Sequence, residues 1–228
     1  SIVFLYYNVI NRIFSMNDLI QIIRVLDQND LAVINAYIDT LSFSDSTIFA
    51  TSGGTRTDTS IRSSKGCHLA EAADMTKLLH SKINKGLEKY YAKVSEIHNS
   101  FKHYPVPCGN STTCWREGIQ ILEYQGNQEY KFHHDCATDP NIQAYERKLS
   151  IILYLSDGFE GGKTEFLHDS FKPAAGSALM FPSNWCYPHS GQPVTSGKKR
   201  VAVTWYYVDN VHFPNVSKYD PVTGKKLN

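Results

Sequence analysis

The sequence has no Cys-x-x-Cys pair, no excess of charge of either sign, no internal repeat and no apolar run of membrane-spanning length. Each absence excludes something. Its 228 residues carry 23 Lys and Arg against 22 Asp and Glu, a net charge of +1. No global basic field points to nucleic acid, and no acidic one to a polyanion mimic. Five cysteines (Cys67, Cys108, Cys114, Cys136 and Cys186) are an odd number without paired spacing. They make no disulfide framework, and without Cys-x-x-Cys a structural zinc knuckle is not expected. Reduced thiols and a cytoplasmic location are the expectation; Cys108 and Cys114 would close a small loop only in a secreted protein. Residues 1–10 are apolar but lack the basic start and small-residue cleavage site of a signal peptide. They are also shorter than the roughly 20 residues of a membrane span, so no stable membrane insertion is expected. Residues 1–15 precede the first methionine, Met16, and are set apart as a non-core segment. A truncated gene, an upstream artefact or the stub of a secretory-pathway anchor would each account for them.

What is present suits a globular chain: 42% hydrophobic and 20% charged residues, with a mean hydropathy of −0.34. A single domain over 16–228 is expected, with helical support over 16–100 and a β core mainly over 101–210. Leu19, Ile20, Ile22, Ile23, Val25 and Leu26 predict a helix over 17–27. Asn29-Asp30 offers an N-cap for a second helix over 31–41. Residues 42–66, rich in Ser, Thr and Gly, read as strands and loops. Met75, Leu79, Ile83, Leu87, Tyr91, Val94 and Ile97 then keep helical spacing through a long helix over 69–98. Gly86 within it is tolerated at a modest cost. After the break at 104–109, short β-type runs follow at 118–124, 130–135, 148–155, 164–168, 177–182 and 199–208. Many short strands with turn signals suggest a sandwich or barrel. Two glycosylation sequons, at Asn110 and Asn215, matter only in a secreted protein.

The first chemical signal is Tyr130-Lys-Phe-His133-His134-Asp135. On a strand, residues i and i+2 share a face. His133 and Asp135 can then present an imidazole and a carboxylate to one ion while His134 faces away. Alone, the tripeptide reads more readily as a surface His pair beside a carboxylate. A further imidazole, His189, would complete a 2-His-1-carboxylate triad, which leaves open positions and suits non-haem Fe(II).

The second signal is the strand that follows His189. Lys199, Val201, Val203 and Trp205 share one face; Arg200, Ala202, Thr204 and Tyr206 share the other. The first face carries larger apolar groups and is expected to look inward. Lys199 then stands at the inner end of an apolar face, and burying an ammonium costs several kcal/mol unless it meets an anion. A ligand carboxylate would supply one. Iron held by three protein ligands can bind 2-oxoglutarate through its keto-acid end, leaving the far carboxylate for Lys199 and hydroxyl donors. Tyr124 and Thr164, which follows the Gly161-Gly162 turn, are candidates. Taken singly, each residue also reads as an ordinary core or turn residue.

The sequence here resembles the prolyl 4-hydroxylase family of the Fe(II)/2-oxoglutarate-dependent dioxygenases. The resemblance rests on Glu117-Gly-Ile-Gln-Ile-Leu-Glu-Tyr124, Tyr130 to Asp135, and Arg147-Lys-Leu-Ser-Ile-Ile-Leu-Tyr-Leu-Ser-Asp157. It continues through Glu160-Gly-Gly-Lys-Thr-Glu-Phe166, Gly176-Ser-Ala-Leu-Met-Phe181 and His189 to Trp205. It implies an α+β fold with a double-stranded β-helix (jelly-roll) core and supporting N-terminal helices. It implies His133, Asp135 and His189 as iron ligands, with Lys199, Tyr124 and Thr164 around the far carboxylate of 2-oxoglutarate. Tyr130, Trp205, Arg147 and Glu117 are implied as lining a peptide groove, and Arg62, in Ile61-Arg-Ser-Ser64, as a substrate-loop arginine. The implied cofactors are Fe(II), 2-oxoglutarate and O2, with ascorbate as reductant. The implied reaction is hydroxylation of peptidyl proline coupled to decarboxylation of 2-oxoglutarate to succinate and CO2. Its partner would be a proline-containing polypeptide, with residues 51–66 as a flap. The chain departs from the family in having Arg200 where a Trp often follows the lysine, and Lys163 where a Glu is common. Rival readings are the same chemistry on another side chain or a free amino acid, a silent jelly-roll binding module, and a cupin-like zinc or manganese protein.

Overall fold

The computed structural model describes residues 15–49, 54–97, 114–136 and 145–209. Residues 1–14, Cys108, the 104–109 break and both sequons lie outside them. The expected helix over 17–27 does not form. Met16–Leu19 is a 3-10 turn, and β1 (Gln21–Arg24) is a strand antiparallel to β13 (Ser177–Pro182). The β-branched run Ile20, Ile22, Ile23 and Val25 that mimics a helical face suits a strand better, because a pleated surface accommodates branched Cβ atoms. Helix α1 (Gln28–Ile38) is capped one turn earlier than the Asn29-Asp30 pair predicts. The Asp27 carboxylate accepts from the Asp30 N–H at 2.8 Å, and the Asp27 N–H donates back to Asp30. Helix α2 (Asp74–Ile97) begins five residues later than expected, and its inner stripe is Leu79, Ile83, Leu87, Tyr90 and Val94. Each such side chain removed from water contributes on the order of 2 kcal/mol. At Gly86 α2 packs closely on β1 and β13: a Cβ there would meet Met180 Cε and Val25 Cγ2, both at 3.0 Å. Its smallness therefore serves packing.

The remaining strands are β2 (Ser44–Asp45), β3 (Thr47–Phe49), β4 (Thr55–Thr57), β5 (Lys65–His68), β6 (Cys114–Arg116) and β7 (Gln120–Tyr124). Next come β8 (Tyr130–His133), β9 (Tyr145–Tyr154), β10 (Glu160–Gly161), β11 (Thr164–Phe166) and β12 (Ser170–Phe171). The last are β14 (His189–Gly191), β15 (Val194–Ser196) and β16 (Lys199–Asp209). The larger sheet runs β1-β13-β9-β16-β7-β5-β2, with β6 on β16; the smaller runs β12-β11-β14-β8. Strands from the N-terminal region thus belong to the main sheet, and the expected division into a helical half and a β half is corrected. The strands β10, β12, β14 and β15, two or three residues each, are too short for alternation to mark them in a sequence.

Two apolar cores result. One lies between the sheets and gathers Leu122, Tyr124, Tyr154, Phe166, Leu179, Phe181, Val201 and Val203. The other lies between the helices and the outer face of the large sheet, and includes Ile34, Leu79, Ile83, Ile121, Ile151, Ala202 and Tyr206. Both faces of β16 are therefore buried, not one: Val201 and Val203 look to the first core, Ala202 and Tyr206 to the second. Helices covering the outer face make the difference. Arg200 lies on that face and fastens α1: it donates to Glu123 (2.7 Å), Asn35 Oδ1 (2.9 Å) and Asp39 Oδ1 (2.7 Å).

Candidate metal centre

His133 ends β8, His189 opens β14, and the two are register partners. Between this pair and Gly191↔Tyr130 the register shifts, so three steps on β8 oppose two on β14. Such a bulge re-aims a strand. Here it lets Tyr130 and His133 lie on one side, their rings stacked at 3.7 Å and 20°. Asp135 lies just beyond β8 and is buried, while His134 is exposed, as strand parity predicts. His133 Nε2 lies 3.5 Å from Asp135 Oδ1, and His189 Nε2 lies 3.7 Å from Asp135 Oδ2. One donor atom from each of the three residues falls within 4.8 Å of the others.

The tautomers follow from the partners. His133 Nδ1 is 2.8 Å from the Lys131 carbonyl and His189 Nδ1 3.1 Å from the Tyr187 carbonyl. A carbonyl only accepts, so each Nδ1 carries its proton and each Nε2 lone pair is left facing Asp135. Burial pushes the His189 pKa down to about 4, which keeps the imidazole in its neutral, ligating form. Burial alone would raise the Asp135 pKa; when the two imidazoles are protonated, their charge and N–H donation outweigh it and hold the carboxyl well below its ordinary range. The Trp205 indole N–H adds to this without reaching a full hydrogen bond. Two imidazole nitrogens and one carboxylate converging in this way are the donor set of a partly open metal site.

A buried cation stands in the same strand system. Lys199 is 3% exposed, and its Nζ donates to the Gly162 carbonyl at 2.7 Å. No carboxylate pairs with it among the described residues. Burial, with a smaller push from Lys172, lowers its pKa to about 7. Tyr124 is its register partner across β7 and β16, and the rings of Tyr124 and Tyr154 lie 5.4 Å and 5.1 Å from the ammonium. Thr164 is buried and shares a 2.8 Å hydrogen bond with the Tyr154 hydroxyl. The carbonyl that holds Lys199 depends on glycine: Gly162 has φ +61°, and a Cβ there would lie 2.8 Å from Val194 and 3.0 Å from Phe159.

The other expected residues form two groups, one reaching Asp135 through Arg147 and one reaching His133 through Tyr130. Arg147 donates to both Glu117 oxygens, stacks 3.8 Å over Trp205 and reaches the Asp135 carbonyl at 3.3 Å. Arg62 is buried. Its guanidinium donates to the Thr47 carbonyl and to Gln120, and lies 4.8 Å over the Tyr130 ring. It meets the metal side of the site through Tyr130. Sequence reasoning missed Tyr154, Ser150 and Ser183. A serine and a tyrosine at 150 and 154 share one parity of an apolar strand, and that parity was a readable sign of a site-facing pair.

Residues 119–207 match the model of the 2OG-Fe(II) oxygenase superfamily. Over this span and beyond it the chain is similar to prolyl 4-hydroxylases. It is 36% identical over 127 residues to the "Putative prolyl 4-hydroxylase" of Acanthamoeba polyphaga mimivirus, covering 48% of this chain and 50% of the relative. To the "Probable prolyl 4-hydroxylase 3" of Arabidopsis thaliana it is 29% identical over 193 residues, 72% of this chain and 60% of the relative. The chain thus spans about half the length of the curated relatives it matches. Among solved structures it is similar to the viral collagen prolyl hydroxylase of Paramecium bursaria Chlorella virus-1 in its 2OG complex. That likeness has a TM-score of 0.56 and 23% identity, over 83% of this chain and 96% of the other. A Trichoplax adhaerens prolyl hydroxylase, in complex with a hypoxia inducible factor peptide fragment, has a TM-score of 0.58 and 19% identity over 85% and 87%. At these identities the structural likeness shows a shared fold. The family's cofactors are Fe(II), 2-oxoglutarate and O2, and the His133–Asp135–His189 donor set fits the iron. No helix among the described residues is long and apolar enough to cross a membrane.

Proposed function

We propose that this chain is an Fe(II)- and 2-oxoglutarate-dependent dioxygenase that hydroxylates proline in a polypeptide and converts 2-oxoglutarate to succinate and CO2. The observation that carries it is the His133–Asp135–His189 cluster together with a buried Lys199 that meets no carboxylate among the described residues. The two facing sheets are read as a double-stranded β-helix with supporting N-terminal helices. His133, Asp135 and His189 would hold the iron. Iron held there, with 2-oxoglutarate and O2, would supply the oxidising chemistry for hydroxylating a substrate C–H bond.

The chain's own residues do the rest. Lys199 meets the far carboxylate of 2-oxoglutarate, and the hydroxyls of Tyr124 and Thr164 orient it. The apolar core around them excludes water, so the ammonium–carboxylate attraction works in a low dielectric. Arg147 and Glu117 fix the Trp205 face, and Tyr130 stands against His133 across the opening. Flat aromatic faces with fixed polar edges suit an extended, proline-rich chain, which arrives pre-ordered as polyproline II. Arg62 serves the groove by holding the Tyr130 ring. The names of the relatives support proline as target, and the Trichoplax complex supports a peptide substrate.

The test is mass spectrometry of proline-rich peptides incubated with the protein, Fe(II), 2-oxoglutarate and ascorbate. Hydroxyproline on peptides and none on free proline is the expected result. His133→Ala and Asp135→Ala are each expected to abolish succinate formation; coupled turnover by either would overturn the assignment.

A further inference from the structure

Behind Asp135 lies a cluster of polar side chains that the mechanism above leaves unused. Ser150 and Ser183 are each 1% exposed. Ser150 Oγ lies 2.7 Å from Asp135 Oδ2 and 2.8 Å from Ser183 Oγ. An ionised carboxylate has no proton to give, so Ser150 donates to it. That commits the only hydroxyl proton of Ser150, and the bond to Ser183 must run with Ser183 as donor. The direction of the chain is therefore forced: Ser183 to Ser150 to Asp135 Oδ2. Its supports are rigid. Ser150 sits in β9 opposite Trp205 of β16 and Phe181 of β13, and Ser183 follows β13 with its N–H on the Lys148 carbonyl at 3.2 Å.

We propose that Ser150, backed by Ser183, is the positioning residue that makes Asp135 a one-oxygen ligand. Oδ2 accepts from the serine hydroxyl, which holds the carboxylate against pivoting even though Oδ2 also lies 3.7 Å from His189 Nε2, and this favours Oδ1, 3.5 Å from His133 Nε2, as the metal's oxygen. A carboxylate free to pivot can embrace a cation through both oxygens. A second oxygen would occupy a position that a two-histidine, one-carboxylate centre otherwise leaves open. This inference rests on the metal reading of the site, and it concerns ligand geometry, not substrate.

The experiment is titration of the metal-free protein with Co(II), followed by visible absorption. Ser150→Ala is expected to bind Co(II) roughly 10–100-fold more weakly, the usual consequence of removing a ligand's outer partner. Its visible bands should also lose intensity as the coordination number rises. Ser183→Ala should move both in the same direction by less, and Ser150→Thr, which keeps a hydroxyl, should restore them. Tyr206→Phe removes a buried hydroxyl bonded to Asn84 on the helix side; it should lower stability and leave Co(II) binding unchanged. If Ser150→Ala does not fold, Ser183→Ala decides. Unchanged affinity and spectrum in the serine variants, or equal changes in Tyr206→Phe, would overturn the proposal. Failure of the unsubstituted protein to bind Co(II) would instead overturn the metal reading, and the proposal with it.

Discussion

Replacing Lys199 by Met should make the ligand-free protein more stable at neutral pH, and the gain should fade as pH rises. Burial lowers the Lys199 pKa from 10.5 to about 7. A depressed lysine pKa means that the folded chain disfavours the charged form. The penalty is full below the folded pKa and disappears as pH approaches the unfolded one. At about 1.4 kcal/mol per pH unit, it is roughly 4 kcal/mol at pH 7 and roughly 2 kcal/mol at pH 9. Against this stands the Gly162 carbonyl, which accepts from Lys199 at 2.7 Å. Leaving a buried carbonyl without a donor costs about 1–3 kcal/mol, independent of pH. The net expectation is a variant about 1–3 kcal/mol more stable than the unsubstituted protein at pH 7, with the gap smaller by about 2 kcal/mol at pH 9. Urea unfolding at the two pH values measures both. The change in the gap between pH values cancels the carbonyl cost and every titrating group that does not sense Lys199, so it reads mainly the lysine. A gap of the same size at pH 7 and 9 would refute the buried-ammonium argument. So would a gap that widens. The same substitution should weaken 2-oxoglutarate binding by roughly 10–100-fold, because a charge-assisted hydrogen bond is lost.

Three further outcomes are expected. At pH 8 Lys199 is mostly neutral in the empty site but must be charged to meet a carboxylate, so 2-oxoglutarate binding should take up close to one proton. Calorimetry in buffers of different ionisation enthalpy reads this, and the uptake should vanish near pH 5.5. Arg200→Ala leaves Glu123 and Asn35 without their shared partner and should cost roughly 2–3 kcal/mol of stability, measured by urea unfolding, with 2-oxoglutarate affinity little changed. Gly162→Ala forces a side chain into a left-handed turn against Val194 and Phe159; it should destabilise by about 1 kcal/mol or more and weaken 2-oxoglutarate binding by moving the Lys199 carbonyl partner.

Much of the site could be read from residue order. His133 and Asp135 are two positions apart, and a local rule of alternation was enough to pair them and to turn His134 outward. Lys199 was legible because an ammonium at the head of an alternating apolar strand is out of place unless something anionic meets it. The helical stripe of α2 was legible because its period repeats over six turns. Signals failed where two structures share one local pattern. The run from Leu19 to Leu26 satisfies a helical face and a half-buried strand alike, and only the exposed edge of β13 decided between them. The start of α1 moved because Asp27 and Asp30 cap reciprocally, which competes successfully with the Asn29-Asp30 pair.

The sequence by itself determined the donor types, the strand parity of His133 and Asp135, and the single out-of-place cation. These depend on spacing of a few residues, where the backbone's short-range geometry leaves little choice. Only the tertiary structure decided what surrounds them. The bulge in β8 that stacks Tyr130 on His133 exists because β14 is its partner. The burial of both faces of β16 follows from helices that pack onto it from far along the chain. Arg62 is held behind Tyr130 by the Thr47 carbonyl and Gln120, and the Ser183–Ser150–Asp135 chain joins residues from three separate segments. Contacts between distant segments form only when the sheets close, and no local period in the sequence encodes them.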